Sequence, residues 1–241
     1  MRTLLRYILI LFGAVLPLVA QPDPNNERTK KPARAVWFAC TSIPKDLENP
    51  IKVLAGEQIT ELELPRYLAS DPVKIPEDGI IRIVREVPDL EDPKKTKYLV
   101  LAEAKISAGT KEALIILMPL PVPKGDLIFM TQVQSLANFK GGDRLFINLS
   151  KTPIRVKFGD STVNVPARDA NLFAAPDLAK STNVPVRYEF FHAEHKKWRI
   201  ITASTVVLRP TRREIHVFND GSRIGKIKKH KILFPIEQGG R

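Results

Sequence analysis

The nearest approach to a reactive constellation in this chain is F-F-H-A-E-H-K-K-W, which sets His192 and His195 around Glu194. Imidazole nitrogen and carboxylate oxygen are zinc ligands, but a zinc centre takes three or four of them, usually with a supporting shell. The segment lies between two strand-like runs, residues 188–191 and 198–201, so it is expected to be a hairpin turn. Adjacent strand residues point to opposite faces, which would take Glu194 away from the histidines. The expectation is two exposed turn histidines, no metal site and no cofactor. Other chemistries lack their settings: there is no G-x-S-x-G elbow, no H-E-x-x-H and no G-x-x-x-x-G-K-[ST] phosphate loop. Carboxylates such as Glu61, Glu63, Asp71, Asp160 and Asp169 are plentiful. An acid and base pair works only at a set separation across a cleft, and the alternation of Glu61 and Glu63 marks a solvated strand face. No catalytic residue is assigned.

The single cysteine excludes an intramolecular disulfide framework and any multi-cysteine zinc site. Cys40 lies in the apolar run A-V-W-F-A-C-T, with no histidine or cationic cluster in its strand to lower its pKa. It reads as a small buried hydrophobe. Charge is the most uneven feature. The chain carries 38 Lys and Arg against 26 Asp and Glu. Residues 194–231 alone hold eleven basic residues against three acidic ones. The densest part is R-I-G-K-I-K-K-H-K-I, where Arg223, Lys226, Lys228, Lys229 and Lys231 form a candidate polyanion-binding site. The imperfect alternation there equally fits an edge strand guarded by lysines against unwanted pairing.

Strands must position these residues. From Arg34 onward the apolar pattern has period two, in short runs separated by Pro, Gly, Asn and Asp. Ile154, Val156 and Phe158 alternate with Arg155 and Lys157. Ile215 and Val217 lie opposite His216 and Phe218. Hairpin turns are expected at residues 77–79, 140–143, 159–161 and 219–221. Residues 167–178 are the best helix candidate, and a weak one. The scarcity of helical periodicity argues against βαβ units, and so against a doubly wound fold or a TIM barrel.

At a constant offset of 101, residues 102–118 match 203–219: Thr110 meets Thr211, Leu114 meets Ile215, Ile116 meets Val217 and Leu117 meets Phe218. This predicts a duplication, with about seven strands in each half. Three prolines in P-L-P-V-P-K-G suggest a linker over residues 119–125. The expected domains are therefore two tandem β-sandwiches, at 34–124 and 125–241.

R-L-F-I-N-L-S-K-T-P-I-R-V-K-F-G, residues 144–159, and V-N-V-P, residues 163–166, resemble a pattern found in exported bacterial β-sandwich domains of unknown function. There a basic strand ends in Asn-x-Ser, and a second strand carries alternating valines toward a glycine. The resemblance covers only these spans. It implies an all-β, immunoglobulin-like exported module and brings no activity with it. The usual Pro-Gly that follows is here Pro166-Ala167.

The first twenty residues read as an export signal. Arg2 and Arg6 precede a 14-residue apolar stretch that ends at Ala20. A spanning helix needs about 20 such residues, while a signal core needs about 7–15. The alternative is an uncleaved N-terminal membrane anchor. Residues 21–33, without a large apolar side chain, read as a disordered leader. The expected function is that of an exported envelope protein, periplasmic or extracellular, with a non-catalytic binding or structural role. The alternatives are a carboxylate-based hydrolase of envelope carbohydrate and a polyanion-binding module acting through the basic segment. Candidate partners are an acidic envelope polymer, an anionic lipid surface or another envelope protein. Nucleic acid is disfavoured, because export removes the chain from it.

Overall fold

The computed structural model describes residues 32–89, 92, 95–221 and 225–236. The expected signal, most of the expected leader and Arg223 lie outside them. Among the described residues no helix is long and apolar enough to cross a membrane. The first eight strands are β1 (Ala35–Cys40), β2 (Ile51–Ala55), β3 (Gln58–Leu62), β4 (Val73–Lys74), β5 (Ile80–Pro88), β6 (Thr96–Lys105), β7 (Glu112–Lys124) and β8 (Leu127–Ser135). The second eight are β9 (Arg144–Asn148), β10 (Ile154–Phe158), β11 (Ser161–Val165), β12 (Asp169–Phe173), β13 (Thr182–His192), β14 (Lys197–Leu208), β15 (Arg212–Asp220) and β16 (Ile227–Pro235).

These strands make two tandem β-sandwiches. The first pairs a sheet of order β4-β1-β7-β8 with one of order β3-β2-β5-β6. The second pairs β12-β9-β15-β16 with β11-β10-β13-β14. Adding eight to each strand number of the first gives the second. The irregularities repeat too. β5 shifts register between Ile83 and Val84, and β13 between Tyr188 and Glu189. Each half holds eight strands, one more than the expected number of about seven. In each half the first strand runs parallel to the seventh, β1 with β7 and β9 with β15.

That parallel pair explains the most apolar segments of the chain. Parallel strands buried on both faces read as nearly continuous hydrophobic runs. Along β1, Val36, Phe38 and Cys40 face the core of the first sandwich, while Ala35, Trp37 and Ala39 face a second core. Along β7, Ala113, Ile115 and Leu117 face inward, and Leu114, Ile116 and Met118 face outward. The outward set meets Leu145 and Ile147 of β9, Ile215 and Val217 of β15, and Ile232 and Phe234 of β16. The two sandwiches therefore share a third core, between their facing sheets. Backbone hydrogen bonds reinforce it: Leu233 N–H donates to the Tyr67 carbonyl at 2.8 Å, and Ala69 N–H to the Leu233 carbonyl at 3.1 Å.

Several expectations need correction. Residues 119–125 are not a linker. Pro119 still pairs with Phe129, and Lys124 with Leu127, so the segment is the far end of the β7–β8 hairpin. The prolines interrupt the ladder between those pairs because they donate no N–H. The passage between sandwiches falls at residues 136–143, through a short 3₁₀ turn, Leu136–Asn138. The expected hairpin at 140–143 is part of that passage. A Cβ on Gly141 would lie 1.7 Å from the Pro210 carbonyl oxygen, so only glycine fits there. The turn at 77–79 carries the chain from one sheet to the other, β4 to β5, and makes no hairpin. Residues 167–178 form β12 and a following extended segment; Phe173 packs on Phe158, ring centroids 4.5 Å apart, and this tertiary contact outweighs the weak helical pattern. The turns at 159–161 and 219–221 do lie between paired strands.

The shared core predicts one unfolding transition for both sandwiches. Phe234 is 4 % exposed and packs on Trp37 of the other half, ring centroids 5.6 Å apart. Phe234→Ala should cost about 3–5 kcal/mol, and it should lower a single urea midpoint read equally by Trp37 and Trp198 fluorescence. Two separated midpoints would show that the halves unfold independently.

Candidate functional site

The register of β9 on β15 brings unusual residues into the second sandwich. Arg144 sits opposite Glu214, and Phe146 opposite His216. On this buried face Arg144 is 2 % exposed, Glu214 3 %, His216 2 % and Tyr188, from the facing sheet, 0 %. Arg144 Nη1 forms an ion pair with Glu214 and lies 2.9 Å from His216 Nε2. Arg144 Nη2 donates to the Val207 carbonyl at 3.1 Å. The His216 ring stacks on Tyr188, with centroids 5.7 Å apart.

More cations approach the same carboxylate. Arg212 Nη2 is 2.8 Å and Lys231 Nζ 3.8 Å from Glu214 Oε1. Lys229 Nζ lies 3.9 Å from the centre of the Tyr188 ring. Three cationic side chains thus surround Glu214, and a fourth, Lys229, sits on the neighbouring Tyr188 ring. Arg144 Nε, Tyr188 Oη and His216 Nδ1 are buried without a hydrogen-bond partner among the described residues. Unpaired buried polar atoms are exceptions in folded proteins, because desolvating them costs free energy.

The electrostatics follow from that crowding. Burial, then the like charges of Lys231 and Arg144, push Lys229 down to about 8. Burial chiefly brings Arg144 down to about 10. Burial, followed by Arg144, Lys229 and Lys231, holds His216 well below the ordinary histidine value, so it is neutral at pH 7.

The first sandwich supplies an internal control. Through the two registers, Arg144, Glu214 and His216 correspond to Val36, Ala113 and Ile115, and Tyr188 to Ile83 at the shared bulge. All four counterparts belong to an apolar core. The fold therefore does not require charge at these positions. The two halves also differ at one edge. In the first, β6 runs beside β8, and Thr131 Oγ1 donates to the Glu103 carbonyl at 2.7 Å. Among the described residues β14 does not run beside β16. The charged face of the second sandwich thus opens at β16, which is the edge strand of its sheet.

The described basic residues singled out in the sequence, Lys226, Lys228, Lys229 and Lys231, do not share one face. Lys226 and Lys228 are exposed, the first in the turn before β16 and the second on it. Ile232 and Phe234 of β16 pack into the core shared by the sandwiches. Alternation consequently turns Lys229 and Lys231 to the opposite face, toward Tyr188 and Glu214. Arg144, Glu214, His216 and Tyr188 escaped the sequence reading. The available signal was Arg144 opening β9, a strand that is otherwise largely apolar. Cys40 is buried, its Sγ 3.1 Å from the Ser42 carbonyl, and burial pushes its thiol up to about 11.

At the β13–β14 turn the geometry differs from expectation. Residues 193–196 lie between the paired His192 and Lys197. Strand alternation does not apply there, and His192, Glu194 and His195 converge with ligand atoms all within 4.8 Å of one another. No protein-family model matches the chain, and no curated protein is significantly similar to it in sequence.

Removing one partner of a buried ion pair strands the other, at a cost of about 3–5 kcal/mol, whereas apolar replacement of the whole group is often neutral or stabilising. Glu214→Ala should therefore destabilise strongly. The triple change Arg144→Val, Glu214→Ala, His216→Ile, which installs the first sandwich's residues, should recover most of the loss in urea unfolding. A triple variant less stable than the single one would contradict this. His216 also makes stability depend on pH. Its folded pKa lies below the ordinary 6.5, so between the two values the unfolded chain binds more protons. This contribution is complete above pH 6.5 and is lost as pH falls. The midpoint drop from pH 7 to 5 should be smaller in His216→Ile.

Proposed function

We propose that this is an exported envelope protein with a non-catalytic binding role, and that the second sandwich captures an anionic group of an acidic envelope polymer at its β16 edge. The observation that carries this reading is the imbalance of Arg144, Arg212 and Lys231 around Glu214, with Lys229 on the adjoining Tyr188 ring, where the duplicate sandwich places Val36, Ala113, Ile115 and Ile83 in an apolar core. Burying like charges together is costly. An anionic ligand would offset that cost and raise the Lys229 pKa back toward its ordinary value. Lys229 and Lys231 stand nearest the open edge and would meet the ligand first, with Arg144 behind them.

The arrangement of carboxylates favours binding over hydrolysis. Glu214 is engaged by Arg144 and Arg212, while Glu189 pairs with Arg155 at 2.7 Å and with Arg187 at 3.1 Å. Glu189 lies on the outer face of its sheet, beside Arg155 and away from Tyr188. The two acids are therefore not disposed across one cleft, as an acid and base pair requires.

Dextran sulfate, used as a model polyanion, should bind the protein at low ionic strength and weaken steeply as salt rises, since the Debye length falls to about 8 Å at physiological salt. Lys229→Gln with Lys231→Gln should weaken binding about tenfold or more, equivalent to about 1.4 kcal/mol. The exposed pair Lys226→Gln, Lys228→Gln should matter less, and Lys95→Gln with Lys97→Gln least. Absence of salt-sensitive binding, or equal losses in all three double variants, would overturn the proposal.

A further inference from the structure

The β13–β14 turn presents a second, separate constellation. His192, Glu194 and His195 bring two imidazole nitrogens and a carboxylate oxygen within 4.8 Å of one another. The imidazole rings lie 4.5 Å apart, centroid to centroid. A tetrahedral zinc ion with ligand bonds of about 2.0–2.1 Å holds its ligand atoms about 3.4 Å apart. Closing from the observed spacing requires only small rotations of side chains, two of which, Glu194 and His195, are exposed.

Three details suit a ligand site. His192 Nδ1 is buried and has no hydrogen-bond partner. A cavity of about 270 Å³ adjoins the turn and is lined by His192, Glu194, Asp220 and Gly225, among others. Gly225 has φ +69°, and a Cβ there would lie 3.0 Å from His192 Nε2. Glycine thus leaves the ring edge clear on the cavity side. Asp220 on the same wall is a further carboxylate, its Oδ1 accepting from Lys151 N–H at 3.4 Å.

We propose that His192, Glu194 and His195 bind a divalent transition metal of the zinc class, with the fourth position open toward the cavity. Two histidines and one glutamate form a donor set used at zinc centres that keep an exchangeable position. The donors favour such an ion over magnesium or calcium, which prefer all-oxygen ligands. The neighbouring Lys197, Arg199 and Lys226 oppose added positive charge, so binding in the micromolar range is expected.

The test is calorimetric titration of tag-free protein with zinc chloride, paired with cobalt(II) absorption as a reporter of tetrahedral geometry. The expected result is one ion per chain and an intense visible cobalt band. His192→Ala with His195→Ala should abolish both, and Glu194→Gln, at an exposed turn position, should weaken binding about tenfold. Circular dichroism of Glu194→Gln should match the parent, which separates ligand loss from misfolding. No stoichiometric binding by the parent, or binding unchanged in Glu194→Gln and the double histidine variant, would overturn the assignment. Either outcome is independent of dextran sulfate binding at the β16 edge.

Discussion

The apolar layer between the facing sheets is the constraint on which the rest of this structure depends. It buries the outer faces of β1, β7, β9 and β15, strands that an isolated sandwich would leave half exposed. Each large side chain buried this way contributes about 1.5–3 kcal/mol relative to exposure, and Trp37, Leu114, Ile116, Ile147, Ile215, Val217 and Phe234 all take part. The layer also fixes the orientation of β16. Ile232 and Phe234 are drawn into it, so Lys229 and Lys231 take the other side of the strand, toward Tyr188 and Glu214, with Lys231 exposed at the rim.

Duplication with divergence connects this architecture to chemistry. Two copies of one topology share a stabilising layer, and among the described residues the first copy buries no charged side chain. The second tolerates Arg144, Glu214 and His216 because its central strands are still held from the other side. Buried charge generally weakens a fold when the same volume could be filled with apolar groups. Its presence in one copy only, beside an edge that the other copy keeps closed, supports the proposed anion-binding role.

The all-β class was legible from period-two alternation, and the offset of 101 aligned Leu114 with Ile215 and Leu117 with Phe218, which occupy matching faces. Alternation could not show that both faces of β15 are buried. His216 accordingly looked like one face of a half-buried strand, and the strand order that encloses it with Glu214 is a long-range property. The proline cluster at 119–125 resembled a linker because its backbone cannot complete a ladder, whether it joins domains or extends a hairpin. The basic segment was visible as composition. Which lysines turn inward depended on the partners of Ile232 and Phe234. His192, Glu194 and His195 were separated by a rule for strands that does not govern a turn.

The most direct measurement of the central claim is a residue-resolved NMR titration of the protein with a sulfated oligosaccharide. Saturable shifts are expected at Arg144, Glu214, His216, Lys229 and Lys231, with none at their first-sandwich counterparts Val36, Ala113, Ile115, Thr131 and Val133. Shifts spread over exposed lysines such as Lys95 and Lys97, with the Arg144 cluster unmoved, would contradict that claim.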